Sequence, residues 1–391
     1  MFIGFGNQRR SRGHLVLGGS DRTVLGLLVG ITPGQTTPAQ ERHKVTTALG
    51  YGVQTVTDLT TNGDVTLLHQ LLELDVTVGT VPIYAAVVNS TSTRSLSARL
   101  LKHIEYCVRM GVDFFSIHAS LSTGLVHSLS KTNRAIPITS RGGVLVSETM
   151  RRDCCENPFV TIFDELVQLC AENSVALSFV ASLRPGSIVD CGSAEYLTEL
   201  QLIAYLAERA TRAGVTTMVE LLNHLPLQAI PSHIAYGRKL FPHSALGALG
   251  PTPTDIAVGL DDVAGAIGAA AASSAGIDWI NLVTAGEHSH LPSIDETVRA
   301  LRYFQLALHV GAIARNASTK RDRAISQARA ANDWSAMASH AIDPDLASQI
   351  YETRGHSVGS TCSMCGGACP LVKARRWPRE SSVEGFTTWS K

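Results

Sequence analysis

A chain of 391 residues has room for one large α/β barrel with an appendage, or for two ordinary domains. Its 33 basic and 33 acidic residues cancel to a formal charge of zero, which excludes the basic footprint of a protein that tracks a phosphodiester backbone, so no nucleic-acid partner is expected. With 17 % of residues charged and 45 % hydrophobic, a large core is expected, with disorder only at the two ends.

No apolar run reaches the length of a membrane span, so no membrane partner is expected. The richest, Val263–Ile277, is interrupted by Gly265, Gly268 and Gly276 and reads as a buried helix. The opening residues carry Arg9, Arg10 and Arg12 without the apolar core of a signal peptide. Eight cysteines without such a signal point to a reducing, cytoplasmic interior. Cys107, Cys154, Cys155, Cys170 and Cys191 are scattered and read as ordinary core or surface residues.

From Val24 onward short β-branched runs alternate with segments of helical period. Val24–Ile31, Val53–Leu59, Val76–Tyr84, Asp113–His118, Val175–Val180, Val215–Leu221, Ala245–Leu249 and Trp279–Val283 read as eight strands, with helices over 94–110, 161–172, 194–213 and 261–275. Eight strands spaced by helices over about 260 residues have the rhythm of a (β/α)8 barrel, whose active site gathers at the C-terminal strand ends. An open doubly wound sheet is the second architecture, but no glycine-rich dinucleotide fingerprint follows a strand. The chain is therefore divided into an N-terminal segment (1–23), a barrel (24–290), a C-terminal helical domain (291–354) and a cysteine-rich arm and tail (355–391). Helices are expected over 294–315, 319–331 and 343–353, the last opened by Asp343-Pro344, and the tail from Pro370 is expected to be mobile.

The arm holds Cys362, Cys365 and Cys369 within eight residues. Three thiols so close could leave one iron of a cubane cluster without a protein ligand, where a small molecule would chelate. They could also be most of a zinc site, for which His356 is the one nearby fourth donor, or a disulfide with a spare thiol. Behind the strands stand polar segments that a packed barrel does not need for stability: TVTDLTTNGD (55–64), GTVPIY (79–84), IHAS (117–120), SRGG (140–143), ASLRPGS (181–187), ELLNHLP (220–226), TDIAVGLDD (254–262) and AGEHSHLP (285–292).

These segments, closed by CSMCGGAC (362–369), resemble in order the TVMDLSTGGD, GTVPIY, IHAG, SRGG, DGLRPGS, EGPGHVP, TDIAPGYDH, PKEHLGLP and CSMCGPKFC of the phosphomethylpyrimidine synthase (ThiC) family. Those are radical S-adenosylmethionine enzymes that make the thiamine pyrimidine, and the resemblance covers about residues 50 to 370. It implies a barrel with a helical domain and a carbon–carbon lyase acting on aminoimidazole ribonucleotide. It also implies a homodimer whose arm closes over the neighbouring barrel, and an electron donor such as flavodoxin or ferredoxin. Carried over residue by residue, Cys362, Cys365 and Cys369 would bind a [4Fe-4S] cluster that works with S-adenosylmethionine. His224 and His288 would bind a divalent metal, zinc or iron, and Tyr84, His118, Ser140, Arg141, Gly142, Arg184 and Glu220 would contact the substrate.

The residue types suit those roles. Arg141 and Arg184 can fork onto phosphate or ribose oxygens, the amides of Gly142 and Gly143 admit a close phosphate, and two neutral imidazoles can share one ion with positions left open. Each also has a plainer reading: a histidine that only completes a hydrogen-bond network, arginines that brace loops, Glu220 paired structurally with one of them, and Tyr84 as packing.

The departures concentrate in the pocket. Ala181-Ser182 replaces Asp-Gly, Leu221-Leu222-Asn223 replaces Gly-Pro-Gly, Thr57 a methionine, Gly247 a tyrosine and Leu27–Ile31 an asparagine-rich stretch, while the third cysteine comes one residue early. Lost hydrogen-bonding partners change substrate choice strongly. A paralogue acting on a related nucleotide, or a hydroxybenzimidazole synthase-like activity, therefore stands beside pyrimidine synthesis. A non-catalytic protein whose arm holds zinc is the alternative from a different class.

Overall fold

The computed structural model describes residues 3–10, 15–18, 22–88, 95–357 and 359–375. Eight parallel strands, β3 (Val24–Val29), β4 (Thr55–Asp58), β5 (Thr77–Thr80), β6 (Phe114–Ile117), β7 (Ala176–Val180), β8 (Thr217–His224), β9 (Ala245–Thr252) and β10 (Trp279–Asn281), close into a barrel when β10 pairs with β3. All eight expected strands are present, and the (β/α)8 fold stands as read.

The differences lie at the ends of elements. The third strand was expected to reach Tyr84 but stops at Thr80, and Pro82–Val88 is a helix instead. Proline has no N–H for a ladder yet suits a first helical turn, so Pro82 ends one element and starts the next. The SRGG segment, expected within a connection, caps a helix over Arg141–Asp153, with the Ser140 hydroxyl accepting from the Gly143 amide. Strand β8 runs on to His224 through two register irregularities, a bulge of the kind that re-aims side chains near sites. The helix over Asp261–Ser274 is buried on one face only, since Val263 and Ile267 are 40 % and 51 % exposed. The tail is ordered as a helix over Pro370–Ala374; Arg94 and residues 376–391, on which other expectations fell, lie outside the described residues.

The N-terminal segment, expected to be disordered, carries β1 (Ile3–Phe5) and β2 (Leu15–Leu17), paired antiparallel and packed against the lower end of the barrel. Phe5 meets the Phe114 ring edge-on at 6.0 Å, and Phe114 meets Trp279 in the same way at 6.1 Å. Asp113 anchors this plug: it accepts from the Asn7 amide at 3.0 Å, the Val78 amide at 2.8 Å and the Arg10 guanidinium at 2.8 Å. Room for the rings comes from glycine, because a Cβ at Gly79 would lie 2.2 Å from Phe114 and one at Gly247 would lie 2.5 Å from Trp279.

The chain divides into two compact units, Met1–Ala317 and Ser318–Lys391. The first includes the helix Ile294–Ala314, which packs on Asp261–Ser274 and which the sequence reading had grouped with the helices after it. The second holds helices over Lys320–Ala331, Trp334–Ser339 and Pro344–Thr353, the last capped by Asp343 through the Leu346 amide. Among the described residues no helix is long and apolar enough to cross a membrane.

Truncating Phe5 to Ala should cost about 3–5 kcal/mol in urea unfolding, the range for deleting a buried aromatic ring. Ligand binding at the opposite end of the barrel should be unchanged under native conditions.

Candidate active site at the barrel mouth

Six of the residues singled out from the sequence, Tyr84, His118, Ser140, Arg141, Arg184 and Glu220, line one cavity of about 190 Å³. They come from four consecutive strand-and-loop units, those of β5 to β8, and the lateral pairing of these strands brings them together. Arg141, which opens its helix, lies 5.7 Å over the Tyr84 ring. Burial raises the Tyr84 hydroxyl pKa, opposed by the charges of Arg141 and Arg184.

His118 is buried behind this wall. Its Nε2 lies 2.7 Å from the Ser140 hydroxyl, while Nδ1 finds no hydrogen-bond partner. Burial, reinforced by the Arg184 charge, pushes its pKa down to about 3, so the ring is neutral. Gly142 also has a packing reason to lack a side chain: a Cβ there would lie 2.3 Å from His118 Cε1, so its bare face admits the imidazole. What remains for an anion is the helix N-terminus itself. The first-turn amides of residues 141 and 142 have no intrahelical acceptor, and the dipole adds partial positive charge.

Arg184 sits across the cavity. Its Nη2 is 3.5 Å from Glu220 Oε1, both side chains about nine-tenths buried, and its Nη1 donates to the Ala181 carbonyl at 2.9 Å. Glu220 also receives the Asn281 carboxamide at 3.4 Å. Glu287, quoted within a motif but given no role, opens into the same cavity. A second cavity shares Leu28, Leu59, Arg141 and Glu287 with the first and extends past Leu27–Ile31 to the buried Lys44–Glu41 pair, 2.8 Å apart.

His224 and His288 face one another with Nε2 atoms 3.1 Å apart. Each ring turns its Nδ1 to a carboxylate, His224 to Asp255 at 2.7 Å and His288 to Asp261 at 3.0 Å. This network assigns the ring protons to Nδ1 and leaves two lone pairs pointing at each other. Burial lowers the His224 pKa, and the neighbouring His288 adds to that against the pull of Asp255. Partial burial alone would raise the Asp255 pKa, but hydrogen bonds from Ser187, His224 and the Ile188 amide outweigh it and hold the carboxyl low. Two nitrogens bound tetrahedrally to one ion at about 2.0–2.1 Å sit about 3.3 Å apart, so the pair fits a shared divalent cation oriented by carboxylates behind it. Among the described residues no three His, Cys, Asp or Glu side chains gather as a ligand set, so further ligands would come from substrate, cofactor or water.

Asp255 and Asp261 lie in TDIAVGLDD and carried a signal in the sequence, but their pairing with histidines in other segments, one ending β8 and one in the turn after β10, did not. Several departures fall away from the cavity. Leu221 and Leu222 are fully buried in the core, Ala181 and Ser182 are fully buried, and Gly247 lies against Trp279. Of the replaced positions, Leu28 and Thr57 line the first cavity and Leu27–Ile31 the second.

In the second unit Cys362 receives amide hydrogens from Cys365 and Met364, which lower its pKa, while the bond and charge of Cys362 raise that of Cys365. Cys369 is buried and precedes the short terminal helix. His356, the one nitrogen donor weighed for zinc, is stacked on Trp334 at 4.4 Å.

The radical SAM ThiC family matches residues 2–376. The chain is similar to the phosphomethylpyrimidine synthase of Ignicoccus hospitalis, at 33 % identity over 88 % of this chain and 81 % of that protein. It is similar to that of Methanopyrus kandleri at 33 % over 90 % and 84 %. The Thermus thermophilus enzyme of the same name is 35 % identical over 85 % of this chain and 78 % of its own.

The His118 shift fixes a pH dependence. A folded pKa of about 3 against 6.5 unfolded means its contribution to stability is complete above pH 6.5 and drains away as pH falls toward 3. His118→Gln should flatten that acid limb in urea titrations run at stepped pH; an unchanged limb would contradict a buried neutral ring.

Proposed function

The chain belongs to the radical SAM ThiC family, and on that premise we propose that it rearranges or fragments a phosphorylated, aminoimidazole ribonucleotide-like substrate as a carbon–carbon lyase. The observation that carries this reading is the meeting, in one cavity, of Arg141, Arg184 and the helix N-terminus at Ser140.

Membership implies S-adenosylmethionine and a [4Fe-4S] cluster. The cysteine segment fits such a cluster, because amides directed at Cys362 favour the thiolate that iron binds. The crowding between Cys362 and Cys365 is what a cationic core would relieve. Cys362, Cys365 and Cys369 would hold the cluster, which with S-adenosylmethionine supplies one-electron cleavage of a sulfonium to a carbon radical. His224 and His288 would hold zinc or iron.

The work of the chain's own residues is positioning. Arg141, Arg184 and the amides after Ser140 grip the phosphate. Glu220, paired with Arg184, takes a hydrogen bond from an amino group of the substrate. Tyr84 walls the cavity and keeps Arg141 in place. A homodimer, a small protein electron donor and a reducing compartment complete the proposal.

A second reading, a paralogue acting on a different nucleotide, is favoured by one observation: the hydroxyl of Thr57 and the apolar Leu28 stand in the cavity wall at positions where the family pattern differs.

Reconstituted without oxygen, the protein should show broad charge-transfer absorption. After reduction with S-adenosylmethionine it should release 5′-deoxyadenosine. Cys365→Ala should lose both, and a variant that keeps them would remove the cluster from this account. The mass of the product formed from aminoimidazole ribonucleotide separates the two readings, since 5′-deoxyadenosine with no ribonucleotide product favours the paralogue. Metal analysis after dialysis checks the histidines: His224→Ala should lose the divalent ion while iron and sulfide stay at the cysteines.

A further inference from the structure

One fully buried carboxylate near the mouth has no part in the roles given so far. Glu199 lies inside the helix Ala194–Arg212 and is 0 % exposed. Its Oε1 accepts from the Ser182 amide and the Ser120 hydroxyl, each at 2.7 Å, and its Oε2 accepts from the Leu183 amide at 2.7 Å. Burial pushes its pKa up, and those donors together with the Arg184 charge oppose the push. On the carbonyl side of the same loop, the buried guanidinium of Arg134 donates to the Leu183 oxygen at 2.6 Å and the Arg184 oxygen at 3.2 Å. An acidic and a basic side chain thus grip the amides and the carbonyls of one short loop. The loop is also tied at its ends, the Ala181 amide to the Glu220 carbonyl at 3.2 Å and the Pro185 carbonyl to the His224 amide at 3.1 Å.

We propose that Glu199 is a positioning residue that, with Arg134, fixes the backbone of Ser182–Arg184 so that the Arg184 guanidinium is presented to the phosphorylated substrate. This rests on the phosphate-binding reading given under the proposed function. Glu199 reaches neither cavity, so it acts through Arg184 alone. Both of its oxygens must accept from a backbone N–H, a demand that glutamine cannot meet in either orientation, because its amide nitrogen would face the Ser182 or the Leu183 donor. A held loop pre-sets the geometry of the fork that Arg184 makes with an anion, and that is where binding energy is lost when the loop slackens.

The experiment is a double-mutant cycle read by calorimetry, with aminoimidazole ribonucleotide as the probe and the cofactor-free full chain as the protein. Glu199→Gln should weaken binding about tenfold, the scale of a hydrogen bond to a charged group. Arg184→Met should weaken it at least as much, and Glu199→Gln added to Arg184→Met should weaken it no further, because the lost geometry has no guanidinium left to misplace. A purely structural role would lower the unfolding midpoint and leave affinity untouched, or would multiply with Arg184→Met, and either result overturns the proposal. If Glu199→Gln does not fold, Arg134→Met releases the carbonyl side of the same loop and carries the same cycle. Should the unaltered chain bind neither the ribonucleotide nor ribose 5-phosphate, the phosphate reading itself falls and takes this inference with it. Tight binding by the unaltered chain with an additive cycle sinks the inference alone.

Discussion

A carboxylate withdrawn from water has to be surrounded by donors, and in this protein the donors are backbone amides, hydroxyls, an imidazole and a guanidinium from loops at both ends of the barrel. Asp113 gathers two amides and a guanidinium at the lower end of the barrel. Glu199 gathers two amides beneath Arg184. Asp255 binds the Ser187 hydroxyl and the Ile188 amide with one oxygen and His224 with the other. Asp113 and Glu199, fully buried, brace the loops beside them, since releasing those loops would strand a charge in low dielectric, while Asp255, with a third of its side chain exposed, links two loops at the rim.

Asp255 has a further consequence. The segment that follows Arg184 ends in Ser187, so one carboxylate ties the arginine's loop to the histidine pair. The loop of Arg184 and the imidazoles are therefore parts of a single braced rim rather than two neighbouring sites. Motion of either would have to break a buried or half-buried carboxylate network, which is the physical reason to expect the rim to be preorganised for its ligand.

The substituted positions sort by depth. Leu221 and Leu222 fill core space under a bulged strand, and Gly247 yields room to Trp279. Those changes alter packing and leave the cavity's polar set in place. Thr57 and Leu28 do reach the cavity, and Leu27–Ile31 lines the one beside it, so the departures that touch a cavity all lie on the side formed by β3 and β4.

The sequence by itself determined the barrel, because period-2 and period-3.6 patterning is local and eight alternations leave few closed architectures. It also marked Arg141, Arg184, Glu220, His224 and His288, through the order of the motifs that hold them and their resemblance to the ThiC family's rather than through residue type alone. The helix begun by Pro82, the helix capped by Ser140 and the plug made by Phe5 were not legible, since each depends on where a short polar or apolar segment finds a partner far along the chain. Only the tertiary structure decided that Gly142 makes way for His118, that Asp255 and Asp261 stand behind the imidazoles, and that Glu199 lies under the arginine loop. Hydrogen bonds to buried charges join residues from 16 to 79 positions apart in the Glu199 cluster alone, and no local pattern encodes a partner chosen by the closure of a barrel.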